Sequence, residues 1–565
     1  MTETNSILVV GGGLAGLVAA FELTQRNIHV TIIDQEPEQS LGGQAFWSLG
    51  GIFCVNSSYQ KWRGVKDSRE KALEDWMNTA GFDRGAEDYW TKAWAKSFVD
   101  FATDEMEAYL KARGVGFLAV GWAERGAGKS QGHGNSVPRF HLTWGTGPAV
   151  LKGFEAPVRA ATKKGLVTFK FRHEVKKIVV DETTGAAIGV KGNILEPSSV
   201  ARGVQSSRKV IDTFELCGRA IIISTGGIGG NLEAVRKWWP IDRLGPQVPK
   251  SFVIGVPHHV DGHMVEYAQQ AGASVVNMDR MWHYTEGLKN WDPIWPHHGI
   301  RVIPGPSSLW LDANGQRLPP YLYPGCDTLA TLKYICSTGH DYTWFILTRE
   351  ILRKEMVLSG SEQNPDITGK SYWQAFLQRI MSRWGAQGVD AFRQHGEDFV
   401  VEDTLEKLVE GMNKLAEERK GPILDYGDVH KTITARDIQF DNNYSKDAQT
   451  MLVNNARNFL SDSFRIAKPH RLLDPAFGPL VAIRMNLLTR KSLGGLQTNL
   501  DSNVLRPDGS VFPGLYAAGE AAGFGGGGVH GYSALEGTFL GGCIYSGLRA
   551  GRAIAQDSTN LRSRL

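Results

Sequence analysis

The chain has 565 residues, 42% of them hydrophobic and 21% charged, with a formal net charge of +3. That length exceeds one ordinary hydrophobic core and predicts two or more domains. The small charge, with no dense Lys/Arg block, argues against nucleic acid as the main partner. Five cysteines, Cys54, Cys217, Cys326, Cys336 and Cys543, form no CxxC pair and no zinc-like spacing. They predict reduced thiols in an intracellular protein. No apolar run reaches about 18 residues, so no membrane span is expected.

Residues 6–10 form a short apolar run ending in glycines, Leu14 to Arg26 has helical spacing, and His29 to Asp34 reads as a second strand. Together they predict a βαβ unit of about 30 residues. A first strand starting near Ile7 leaves no room for a secretory signal. Helical, Trp-containing sequence follows from Asp67 to Arg113, with Asp67 or Ser68 as N-cap. Val167 to Val190 reads as a hairpin turning at Thr184-Gly185, and residues 220–224 as a buried strand running into Thr225-Gly226-Gly227. From about residue 275 the texture changes. Trp282, Trp291, Trp295 and Trp310 fall close together, and amphipathic helical stretches continue to about Lys420, as if a separate domain were inserted. From about 430 the chain returns to short strands, a Pro507-Asp508-Gly509 turn and glycine clusters.

Gly11-Gly12-Gly13-Leu14-Ala15-Gly16 fits GxGxxG between a strand and a helix. Gly11 makes the tight turn, Gly13 admits pyrophosphate to the backbone, and Gly16 lets helix pack on strand. The helix start offers amides and a positive dipole end to phosphates. Asp34, closing the second strand, is placed to hold ribose hydroxyls. NAD and FAD share this fingerprint, so the rest of the chain decides between them.

Leu515-Tyr516-Ala517-Ala518-Gly519-Glu520 resembles the GLYAAGE segment of the fumarate reductase and succinate dehydrogenase flavoprotein superfamily. Gly42-Gly43 with Ser48-Leu49-Gly50-Gly51 resembles its second phosphate and isoalloxazine segment. Ser224-Thr225-Gly226-Gly227 resembles its ATGG strand end, and Asp261-Gly262 with Ala271-Gly272-Ala273 its GDG…AGA helix. Residues 311–317 resemble the segment opening its cap domain. These matches occur in family order over nearly the whole chain.

The resemblance implies an α/β fold: a Rossmann-like FAD-binding domain of the GR2 type, built from both chain ends as residues 1–274 and 431–565. An α+β cap or substrate domain, 275–430, is inserted between them. It implies an FAD site made by Gly11, Gly13, Leu14, Ala15, Gly16, Asp34, Gln35, Gly42, Gly43, Gln44, Ser48, Gly50, Gly51, Val175, Thr225, Gly226, Gly227, Asp261, Gly519, Glu520, Ala534 and Leu535. Some members bond the flavin covalently through a histidine. Gln44 occupies that position and forms no such bond, so the FAD is expected to be non-covalent.

A reduced flavin carries negative charge that a helix N-terminus stabilises; the backbone around Leu535 to Gly537 reads as that helix start. Fumarate reductases clamp a substrate carboxylate with an arginine where this chain has Ala534, and with a histidine where it has Lys491. The sequence is more similar to the 3-ketosteroid dehydrogenase branch, in which a tyrosine beside the flavin hydrogen-bonds a ketone and a second tyrosine takes the neighbouring proton. Tyr532 matches the first position, although the proline of that motif is absent. Tyr284 is a candidate for the second, with Tyr342 and Tyr321 as others. Arg490 is a candidate near the flavin face, and Arg139 and His141 for lining the pocket. His258-His259 and His297-His298 lack the spacing of metal ligands, and the Trp-rich stretch suits an apolar, polycyclic substrate.

The expected activity is dehydrogenation of adjacent carbons next to a ketone in an apolar, steroid-like or terpenoid-like substrate, with electrons passing to an unknown acceptor. A fumarate reductase-type ene-acid reductase and a flavoprotein electron-transfer subunit are the alternatives. Ser563-Arg564-Leu565 is close to the Ser-Lys-Leu address and predicts a peroxisomal protein if the source is eukaryotic.

Overall fold

The computed structural model describes residues 5–124, 134–371, 373–374 and 381–562. β1 (Ile7–Val10) leads into α1 (Leu14–Thr24), and β2 (Val30–Asp34) returns parallel to β1. β3 (Val167–Phe171) pairs with the outer side of β2, and β4 (Ala220–Ile223) with the other side of β1. The inserted region contributes β5 (Met281–Lys289), β6 (Tyr342–Thr348) and β7 (Leu480–Ser492). β8 (Val511–Ala517) then comes back beside β4, and α2 (Thr538–Arg562) ends the described chain.

Among the described residues the first sheet has six strands, with residues 503–505 at one edge and β3 at the other. The central strands read as continuous Val/Ile runs because both faces are covered. One cover is the pair α1 and α2, whose Leu17, Val18, Ile544 and Leu548 share a single core. The first and last parts of the chain thus form one Rossmann-like domain.

Val167 to Val190 is not one hairpin. Arg172 takes a left-handed conformation (φ 63°) that breaks the run. Val167–Phe171 joins the first sheet, and His173–Val180 pairs instead with Ala187–Leu195. Ser68 is the N-cap of Arg69–Ala80, its side chain accepting from the Lys71 amide.

Among the described residues the insert is built on an eight-stranded sheet with β7 in its middle, paired with β5, β6 and Phe399–Glu402. Its core joins Trp310, Phe345, Val429, Ile433, Leu472 and Ile483. This core extends past residue 430, taking in the helix Tyr426–Phe440 and β7 from Leu480 to Met485. β7 misled the sequence reading because an apolar run fits the sheet of either domain equally well. No helix among the described residues is long and apolar enough to cross a membrane.

Candidate functional site

One cavity runs along the junction between the two sheets, enclosing about 1810 Å³ of empty space including its open part. Its lining runs from the β1–α1 turn past Glu520 to Tyr284 and Arg301, an extended groove rather than a compact pocket.

The β1–α1 turn and the end of β2 build one end. Gly11 is left-handed (φ 102°), and a Cβ there would lie 2.7 Å from the Ser224 carbonyl oxygen. α1 starts at Gly13 with no side-chain cap and no acidic residue in its first turn, so its first amides are left for a ligand. The Gly42 amide donates to the Gly12 oxygen at 2.8 Å and closes the turn. Asp34 accepts from the Gly12 amide at 2.7 Å and the Glu36 amide at 2.8 Å. Burial raises its carboxyl above the usual range, and those amides pull the other way. Gln35, Val175, Asp261 and Thr225-Gly226 complete this end.

In the middle, side chains from three distant segments meet. Gln44 Nε2 donates to Glu520 Oε2 at 2.8 Å, and the Ser492 amide to Glu520 Oε1 at 2.8 Å. Lys491 Nζ donates to Gln44 Oε1 and lies 3.7 Å from Glu520 Oε2. Burial lowers the Lys491 pKa; Glu520 opposes that shift.

At the far end, Tyr284 on β5 and Arg490 on β7 line the cavity with Trp282, Arg301, Glu124, Ser359, Ala534 and Leu535. The Arg301 guanidinium lies 3.8 Å from the centre of the Tyr284 ring and 3.4 Å from Glu124 Oε2. Among the described residues the Tyr284 hydroxyl has no hydrogen-bond partner, whereas Arg490 Nη1 donates to Ser359 Oγ at 3.0 Å. β5 and β7 are out of step here. Trp282 faces Lys491 and Tyr284 faces Leu488, so Thr489 and Arg490 together oppose His283. This is a β-bulge, a device that re-aims side chains beside active sites. Burial raises Glu286 and Glu362 to about 7.

Most of the expected site residues meet in this one cavity; some do not. Gly16, Gly50 and Gly227 lie just behind its wall, where a Cβ would strike the Gly11 oxygen, Thr146 and Ser492 respectively. Tyr532 lines no part of it. A Cβ at Gly531 would collide with the Ala80 carbonyl, and the Tyr532 amide donates to that carbonyl at 2.8 Å. This close approach turns the phenol into a cluster of Asp83, Arg84, Arg243 and Arg280, away from its neighbour Ala534.

Arg139 is also absent from the cavity, being fully buried between Asp67 and Asp75. His141 pairs with Ser57 at 2.6 Å. Of the four tryptophans only Trp282 reaches the cavity. Trp295 packs on Trp47 and His298, Trp310 donates to Thr343, and Trp291 is 41% exposed. Tyr342 lies in the insert core and Tyr321 at the surface. Ser563-Arg564-Leu565 lies outside the described residues. The sequence reading missed Glu124, Arg301, Ser359 and Glu536; no local motif marks them, because they meet only when the insert folds back.

α1 with its uncapped amides, Asp34 and the long groove fit FAD. The FAD-binding-domain family matches residues 6–540. A KsdD-like steroid dehydrogenase of Mycobacterium tuberculosis is 56% identical over 557 residues, 98% of this chain and 96% of that protein. One from Mycolicibacterium smegmatis is 56% identical over 553 residues, 98% of this chain and 99% of that protein. In fold, the chain is similar to 3-ketosteroid delta1-dehydrogenase from Sterolibacterium denitrificans, solved with 1,4-androstadiene-3,17-dione. That TM-score is 0.66, with 15% identity over 98% of this chain and 100% of the other. The chain belongs to the FAD-binding-domain family and, within it, to the KsdD-like steroid dehydrogenases.

Proposed function

We propose that the chain dehydrogenates a CH–CH bond next to a ketone in an apolar, steroid-like or terpenoid-like substrate. FAD, which Gly11, Gly13, Asp34, Gln44 and Glu520 would hold, would supply two-electron oxidation for loss of the hydride on the carbon β to the ketone, a separate acceptor restoring the oxidised cofactor. The observation that carries this reading is Tyr284, a phenol without a hydrogen-bond partner among the described residues, facing the cavity under the Arg301 guanidinium. In the proposed mechanism Tyr284 enters as its phenolate, its own proton already given up to solvent, and takes the proton from the carbon α to the ketone, a general-base role worth about 10²–10⁴ in rate. The two cations beside it, Arg301 and Arg490, stabilise negative charge as it develops. Ala123, Phe140, Ile303, Trp282 and Phe539 supply apolar walls for the rings.

The noncontiguous FAD domain and the insert ending with β7 are proposed as the functional units. The Ser563-Arg564-Leu565 address would act only in a eukaryotic host, and the two KsdD-like relatives named above come from Mycobacterium tuberculosis and Mycolicibacterium smegmatis.

The test is anaerobic mixing of the holoenzyme with 4-androstene-3,17-dione. The flavin absorbance is expected to bleach. An unbleached flavin, together with reoxidation of reduced enzyme by fumarate, would overturn the reading in favour of an ene-acid reductase.

A further inference from the structure

Tyr532, the phenol expected to polarise the ketone, gives its hydroxyl to Asp83 and lies outside the cavity wall. A ketone losing a proton from its neighbouring carbon still needs donors fixed where its oxygen turns anionic. We propose that the Arg490 guanidinium fills this role, donating hydrogen bonds to the ketone oxygen and holding the enolate while keeping its own protons. The inference rests on the ketone-adjacent dehydrogenation proposed above.

Three cations line the cavity near Tyr284, and two of them are committed. Arg301 covers the Tyr284 ring and faces Glu124. Lys491 is held between Gln44 and Glu520. Arg490 has one hydrogen bond, to Ser359 Oγ at 3.0 Å, and forms no ion pair among the described residues. Glu362 and Glu520 act on it only at longer range, as do Arg301 and Tyr284. A guanidinium has five N–H donors, so most of this fork is left for a ligand.

Arg490 also stands in the bulge of β7, one residue from Thr489 and opposite His283, next to the Leu488–Tyr284 pair. The bulge brings a proton acceptor and an oxyanion donor to one end of one cavity, as enolisation requires. The proton on the α carbon goes to the Tyr284 phenolate, which becomes the phenol, the hydride on the β carbon goes to FAD, and the two carbons become doubly bonded. Arg490 gains and loses nothing. It remains cationic because arginine does not deprotonate in proteins.

The experiment compares wild type, Arg490→Lys, Arg490→Met and Tyr532→Phe holoenzymes. Each is assayed with 4-androstene-3,17-dione and titrated with 2-naphthol, whose phenolate stands in for the enolate, by flavin difference spectra. Arg490→Met is expected to keep FAD and lose about a hundredfold in kcat. It should also lose at least about tenfold in 2-naphthol affinity, with added guanidinium ion restoring part of the turnover. Arg490→Lys, which keeps the charge but not the fork, should fall between. Tyr532→Phe should keep both properties. An FAD-loaded Arg490→Met with unchanged 2-naphthol affinity would overturn the proposal, as would a Tyr532→Phe enzyme losing turnover as severely. If Arg490→Met fails to retain FAD, Arg490→Lys carries the same comparison. A wild type that the ketone does not bleach would refute the substrate reading alone, since the naphthol titration still reports whether Arg490 holds an oxyanion.

Discussion

The Tyr532 hydroxyl donates to Asp83 Oδ1 at 2.7 Å, while the Arg243 and Arg280 guanidiniums lie 4.0 and 4.3 Å from the centre of its ring. The phenol thereby pins the glycine-rich turn before α2 to residues 80–88. Tyr532→Phe removes one hydrogen bond, worth about 1 kcal/mol. Turnover within about threefold of wild type and a Tm lower by about one degree are expected from steady-state assays and thermal melts.

Tyr284→Phe is expected to behave oppositely. FAD content and Tm should stay as in wild type, while kcat for the ketone substrate falls about a hundredfold or more. A rapid-mixing measurement of flavin reduction isolates this step from reoxidation by the acceptor.

Gln44 faces Glu520 and Lys491 and offers no nucleophile to a flavin. Acid precipitation is expected to release all the yellow colour into the supernatant. Colour remaining in a washed pellet would show a covalent link through another residue.

Glu286 is 1% exposed, and burial raises its carboxyl to about 7 from an ordinary value of 4.5. Its folded-state pKa lies above its unfolded-state value, so its contribution to stability is fully present below about pH 4.5. That contribution is lost as pH rises through about 7. Glu286→Gln should therefore gain stability relative to wild type between pH 5 and 8, by no more than about 3 kcal/mol. Paired thermal melts across that range check the sign; a gap that narrows towards pH 8 would contradict it.

Arg139 has a fully buried side chain between Asp67 and Asp75. Arg139→Met leaves two buried carboxylates without their cation and should cost about 3–5 kcal/mol. Protein that still folds should show unchanged KM, which separates structural loss from a role in the pocket.

The nucleotide end of the cavity was legible in the sequence because its chemistry is local: a strand, three glycines and a helix start lie in consecutive residues, with Asp34 closing the next strand. Gly519-Glu520 and Thr225-Gly226 were readable for the same reason. The substrate end was not. Tyr284 and Arg490 could be named only as candidates, and Glu124, Arg301, Ser359 and Glu536 come from distant parts of the chain and acquire meaning only as neighbours. Tyr532 shows the limit from the other side. Its position in a motif was readable, but its direction depends on how closely Gly531 passes Ala80. The Trp-rich stretch advertised a platform for rings, and packing used most of it as ordinary core.

The extra residue in β7 acts as a phase shift between two patterns carried by one strand. Up to Leu488 the alternation of side chains serves the sheet of the insert; beyond it, Arg490 and Lys491 line the cavity and the Ser492 amide donates to Glu520. Removing a single residue at Thr489 would barely change the length of the strand. It would, however, move Arg490 and Lys491 one place against β5, because side chains alternate with a period of two and a slip of one residue changes the face each one takes. An insertion or deletion at this point is thus a change of chemistry delivered as a change of spelling, and an insert grafted from a relative must bring its bulge with it.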